Sequence, residues 1–166
     1  MIQNIHAAHW KHAKKKAELM SDNITLIEME FGPKQAVVKM GKEKLEISKN
    51  GFWRSKIIIT QNEKLVSMQR QLGFWGTETE FVIDDQRYFT KTKQGALFNV
   101  TYCNDNSEIF TYKLGVVKTK PIINFEIKYA DIPEKHLLIL LALGFYSIKN
   151  VAIETMSSDF VVTAVA

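Results

Sequence analysis

Leu137-Leu138-Ile139-Leu140-Leu141-Ala142-Leu143-Gly144-Phe145-Tyr146-Ser147-Ile148 is a run of twelve residues without a charge. Asp131-Ile132-Pro133-Glu134 precedes it and has the form of a helix start. Asp131 can cap free amides, Glu134 follows three residues later, and Pro133 falls in the first turn, where a missing N–H costs nothing. The sequence therefore predicts a helix over 133–149 that is apolar on every side. A surface helix would carry a polar stripe, so this one must be surrounded by apolar matter. A bilayer span needs about 20 apolar residues. Extending the run through Val151-Ala152-Ile153 would place Lys149 in hydrocarbon, which is costly. Burial in the protein core is the expectation. A membrane anchor over 137–153 and burial at a protein–protein interface are the alternatives.

A buried helix needs a wall, and the residues before it supply one. Short apolar-alternating segments recur over 36–40, 45–48, 54–60, 64–69, 79–84, 87–92, 96–103, 108–114 and 122–129. Polar or glycine turns separate them, among them Asn50-Gly51, Gln61-Asn62-Glu63 and Asp84-Asp85. Strands at spacings of about 8–12 residues joined by short turns predict an antiparallel meander that closes into a sandwich or barrel. The fold class expected is mainly β with helices (α+β), a closed antiparallel β-barrel of about 9–12 strands filled by the hydrophobic C-terminal helix.

Residues 1–21 read as a separate basic helix. Ala7, Ala8, Ala13, Ala17 and Leu19 mix with lysines, no glycine or proline interrupts, and Ser21-Asp22-Asn23 ends the pattern. The domain reading is thus an N-terminal helix over 1–21 and one barrel domain over 24–166. At 166 residues and 46% hydrophobic, the chain has the length and composition of a single globular domain with a substantial core. The lone cysteine, Cys103, cannot close an intrachain disulfide.

This order of elements resembles the tubby C-terminal-like superfamily, which includes tubby domains, phospholipid scramblases and the plant LURP-one-related proteins. The resemblance runs from about Ile24 to Ile153. It rests on the hairpins 54–69, 81–92 and 96–113 followed by 137–148, and on no short signature. It implies a barrel threaded by the helix and an association with lipid surfaces. The palmitoylated cysteine cluster of scramblases has no counterpart here. Asn104-Asp105-Asn106-Ser107-Glu108 lacks the spacing of a calcium loop and reads as a hairpin turn. No ligand-binding residue carries over.

The charge is uneven. Residues 1–56 hold 11 Lys/Arg against 6 Asp/Glu, and residues 57–166 hold 11 against 12. The excess centres on Lys11, Lys14, Lys15 and Lys16 and suits an anionic partner, a lipid surface before nucleic acid. Phe74-Trp75 lies between Gly73 and Gly76, and Trp53-Arg54 follows the Asn50-Gly51 turn. Such aromatics either close a barrel end or form exposed contacts to membrane or protein. Lys11, Lys14, Lys15, Lys16, Trp53, Arg54, Phe74 and Trp75 are accordingly the candidate contact residues. For metal binding, His6, His9 and His12 on a helix would not converge. His136 is expected to satisfy a core group. No nucleophile elbow, phosphate loop or paired acid–base carboxylates stand out, so no catalytic residue, metal or cofactor is expected. The sequence reading is a non-enzymatic barrel, cytoplasmic or peripheral at the inner face of the membrane. It binds anionic headgroups or, alternatively, serves as a protein-interaction subunit.

Overall fold

The computed structural model describes residues 4–51, 56–93, 98–118, 120–128, 131–155 and 161–164. A single 3-10 turn, Ile5–Ala7, leads into seven strands: β1 His9–Ala13, β2 Lys16–Ser21, β3 Ile24–Phe31, β4 Gln35–Met40, β5 Glu43–Asn50, β6 Lys56–Gln61 and β7 Lys64–Met68. Six more follow: β8 Arg70–Leu72, β9 Glu78–Ile83, β10 Gln86–Lys93, β11 Phe98–Cys103, β12 Glu108–Val117 and β13 Lys120–Ile127. Helix α1, Glu134–Thr155, and strand β14, Val161–Ala164, complete the described elements.

Local chemistry sets the hairpins. Asp22-Asn23, Asn62-Glu63 and Asp84-Asp85 each place two consecutive residues at positive φ, between 47° and 64°. That is the geometry of a two-residue turn whose twist matches the flanking strands. Alternation then puts one face of each strand inside: Ala17, Leu19 and Ser21 on β2, Ala36, Val38 and Met40 on β4, and Tyr88 and Thr90 on β10 are buried.

β1–β7 form one seven-stranded sheet in chain order, and β8–β14 form the other. Neighbours pair antiparallel except β14, which runs parallel to β13. The expected closed barrel does not form. β7 lies beside β9 and β1 beside β14, but among the described residues no ladder joins the two sheets. The chain changes sheets at Gln69, whose N–H still donates to the Ile57 carbonyl of β6 at 2.8 Å, while Arg70 already pairs with Glu80 of β9. The physical reason lies between the sheets. Two sheets packed directly sit about 10 Å apart, and α1 with its side chains is itself about 10–12 Å across.

Leu140, Leu141, Leu143, Phe145 and Ile148 of α1 are fully buried, and the helix packs on β3 and β4 of one sheet and β11 and β12 of the other. Residues 134–152 are long and apolar enough to cross a membrane, but most of that stretch is buried in the fold. The aromatic core is specific. Phe145 stacks on Trp10 with ring centroids 4.1 Å apart. Trp10 Nε1 donates to Tyr112 Oη at 2.8 Å, and Tyr112 donates to the Leu141 carbonyl at 3.1 Å. Gly144 is required there, because a Cβ would stand 2.5 Å from the Tyr112 ring and 3.2 Å from that of Tyr102.

The N-terminal helix expected over 1–21 is likewise absent. Residues 9–13 and 16–21 form the first hairpin, turning at Lys14-Lys15, with Trp10, Ala17 and Leu19 inward and His9 and Lys11 outward. Alanine and lysine favour helix in isolation. Pairing of β2 with β3 over Lys16–Ser21 and the burial of Trp10 outweigh that preference.

Candidate functional site

In two meandering sheets, successive turns fall at alternate ends of the molecule, and this sorts the charges. His136 in the first turn of α1 meets Asp84 at 3.1 Å, and Lys149 near its other end meets the Lys14 carbonyl at 3.4 Å. The end where α1 finishes carries the described turn residues 14–15, 32–34, 73–77 and 118. They include Lys14, Lys15, Lys34 and Lys118 and no acid. The end where α1 begins carries turns 22–23, 41–42, 62–63, 84–85 and 104–107 and the link after β13. Its described residues include Asp22, Glu63, Asp84, Asp85, Asp105 and Asp131, against Lys42 and Lys128. The described turn residues are therefore polarised in charge along α1. The helix dipole agrees, since its partial negative charge lies at the basic end.

Phe74 and Trp75 sit at the basic end, in the turn between β8 and β9. They are 86% and 85% exposed and pack edge-to-face on one another, centroids 5.4 Å apart. Gly73 and Gly76, at φ 73° and 67°, make the turn that presents them. The pair therefore does not close an end of the fold.

The other candidates separate. Lys14 and Lys15 lie at the same end, at a hairpin tip. Lys11 faces outward from mid-strand with Glu18 opposite it in register. Lys16 pairs with Glu30 at 3.6 Å. Both strand lysines thus have an acid neighbour on the same sheet face. Trp53 and Arg54 lie outside the described residues. Lys34 and Lys118 were not singled out by sequence. Turn parity would have found them, because every second turn of a meander shares an end.

Beneath the Lys14-Lys15 tip lies Lys149, only 3% exposed. Its Nζ stands 3.3 Å from the Phe31 ring centroid and donates to the Lys14 carbonyl. Burial lowers its pKa to about 8. His12 packs beside Phe145 at 6.1 Å. Burial, and then the charge of Lys149, lower its pKa to about 4, so His12 is neutral at pH 7. His6 Nδ1 instead donates to the Ile127 carbonyl at 3.1 Å, and His9 points outward. The three histidines of the N-terminal segment do not converge. Among the described residues no group of three or more His, Cys, Asp or Glu is placed to hold a metal.

Two polar clusters outside the basic end are structural. His136 joins Tyr88 Oη at 2.7 Å and Asp84 Oδ2 at 3.1 Å, and Tyr88 donates to Gln86 Oε1 at 2.8 Å. Tyr88 is 1% exposed, and the chain of hydrogen bonds from Asp84 through His136 and Tyr88 to the exposed Gln86 fastens the first turn of α1 to the β9–β10 turn. Glu80, buried, is held by Arg87 Nε at 2.5 Å and by Arg70 at 3.7 Å, pinning β8, β9 and β10 together. Cys103 is buried and its thiol pKa is pushed up by that burial, the reverse of what a nucleophilic thiolate requires.

No protein-family model, no curated protein and no solved structure matches the chain.

Proposed function

We propose that the protein is a non-enzymatic domain that docks peripherally on anionic membrane lipids, at the inner face of the membrane, through its basic end. The observation that carries this reading is the coincidence of two features at one end. The lysines of alternate turns gather there without an acid among the described turn residues, and the strongly exposed aromatic pair Phe74-Trp75 stands there too. A lysine near an anionic leaflet contributes about 1 kcal/mol. Phe or Trp side chains suit the headgroup level. The acidic opposite end would orient the molecule as it approaches. The resemblance of the sequence to the tubby C-terminal-like superfamily supports the same reading, although the closed barrel it implies does not form.

The test is flotation of detergent-free protein with phosphatidylcholine vesicles, with and without phosphatidylserine, at low and physiological salt. Salt-sensitive binding to the anionic vesicles alone is expected. Replacing Lys14, Lys15 and Lys34 by Gln removes three charges and should weaken binding about 100-fold. Phe74→Ser with Trp75→Ser should reduce the blue shift of tryptophan emission on binding. Absence of flotation, or flotation indifferent to the three lysines, overturns the reading. Phe74-Trp75 would then be the anchor for a protein partner.

A further inference from the structure

β12 and β13 run as a paired ribbon from Phe110↔Ile127 to Val117↔Lys120, the longest of the described ladders. Among the described residues, β11 pairs with β12 as far as Leu114, and β14 pairs with β13 from Ile122. Gly115, Val116 and Val117 lie past both of those ladders, at the basic end. Val116 and Val117 are 48% and 54% exposed. Consecutive strand residues point to opposite faces, so each face of the ribbon tip shows a valine. Among the described residues, the exposed large apolar side chains Ile24, Leu65, Met68 and Val82 stand singly along the chain. Phe74-Trp75 and Val116-Val117 are the adjacent pairs, and both belong to the basic end of the β8–β14 sheet. A single exposed apolar residue is ordinary, whereas clustered ones mark a contact. β9 and β12 are three strands apart, which sets the two tips roughly 14 Å from each other. Lys14-Lys15 and Lys34 occupy turns of the other sheet, β1–β7.

The ribbon is also cationic. Residues 109–125 hold Lys113, Lys118 and Lys120 and no Asp or Glu. An apolar tip within a cationic segment complements an anionic bilayer, whose phosphates lie above its acyl chains. We propose that the β12–β13 tip is a second membrane-entering element, which brings Val116 and Val117 to the headgroup–acyl boundary alongside Phe74-Trp75. The inference rests on the docking reading and adds an orientation to it. The β8–β14 sheet enters the interface by its tips, and the turn lysines of the β1–β7 sheet stay with the phosphates.

Vesicle flotation and a site-specific probe on the full chain test it. Val116→Thr with Val117→Thr keeps side-chain shape and strand preference, and urea denaturation should show its stability unchanged. This variant should bind vesicles of phosphatidylcholine and phosphatidylserine about tenfold more weakly than the parent. The lost contact is apolar, so that factor should persist at physiological salt, where the contribution of lysines shrinks. Leu65→Thr, an exposed change toward the opposite end, should leave binding unaltered. A nitrobenzoxadiazole label on Val117→Cys, in a Cys103→Ala background, should shift to the blue and resist iodide quenching on the same vesicles. The label on Lys11→Cys, outward at mid-strand, should do neither. A parent that floats, together with a threonine variant that binds as tightly or a label at 117 that stays in water, overturns the hairpin proposal and leaves docking through Phe74-Trp75 standing. A parent that does not float overturns both.

Discussion

Replacing Lys149 by Met should stabilise the protein at neutral pH. The ammonium is 3% exposed, and its described partners are the Phe31 ring and one carbonyl rather than a carboxylate. Those contacts do not offset its desolvation, since the pKa falls from 10.5 to about 8. The unfolded chain therefore binds more protons than the folded one between about pH 8 and 10.5. Stability contributed by this residue rises with pH across that window. At 1.36 kcal/mol per unit, the folded state carries about 3 kcal/mol of strain from this charge below pH 8. Met keeps the aliphatic length and the contact with Phe31 and removes the charge, so Lys149→Met should gain about 1–3 kcal/mol at pH 7. Urea denaturation of both proteins at pH 7, 8, 9 and 10 measures it. The difference between them should shrink toward zero at pH 10. Taking the difference is essential, because buried Tyr102 and Tyr112, whose pKa values burial raises, lower stability in both proteins as the pH climbs past 10. A variant less stable than the parent at pH 7, or a difference independent of pH, would refute the reasoning.

Gly144→Ala gains helix propensity of about 1 kcal/mol but drives a methyl to 2.5 Å from a Tyr112 ring fixed by Trp10 and Leu141. Overpacking costs about 1–3 kcal/mol, and the clash should win; thermal unfolding should show Tm several degrees lower, and an unchanged Tm would count against a rigid Tyr112. His12 binds a proton only near pH 4 when folded and near 6.5 when unfolded. Stability it contributes is complete above 6.5 and is lost as pH falls toward 4, so His12→Gln should flatten the acid limb of a stability–pH curve by about 1–3 kcal/mol relative to the parent.

Legibility varied with how local the deciding physics is. The helix could be located from its sequence because burial on every side leaves no polar stripe, and Asp84-Asp85 or Asn62-Glu63 declare turns through two adjacent residues. The first hairpin hid behind alanine and lysine. Its inward set of Trp10, His12, Ala17, Leu19 and Ser21 has period two, but the strand that decides the matter, β3, pairs with it from the next segment. Closure of a barrel needs the sheet edges to zip, and one such pair, β1 and β14, comes from opposite ends of the chain, so no local pattern encodes whether they do. At the candidate site, Lys14-Lys15 and Phe74-Trp75 are visible as short motifs. Their placement at one end, and that of Lys34 and Lys118, emerges only when turn parity is counted. Lys149 was an interruption in an apolar run, and the fold buries it instead of ending there.

The enclosed helix bears on how such a chain is made. All thirteen described antiparallel strands precede α1, so during synthesis both sheets have an inner face that the helix does not yet cover. Ribosomes add about 5–20 residues per second, and the 22 residues of α1 therefore arrive over roughly 1–4 s. Through that interval the two inner faces are apolar surface without a cover, the condition that makes a partly folded chain prone to aggregate, and residues 134–155 supply the cover.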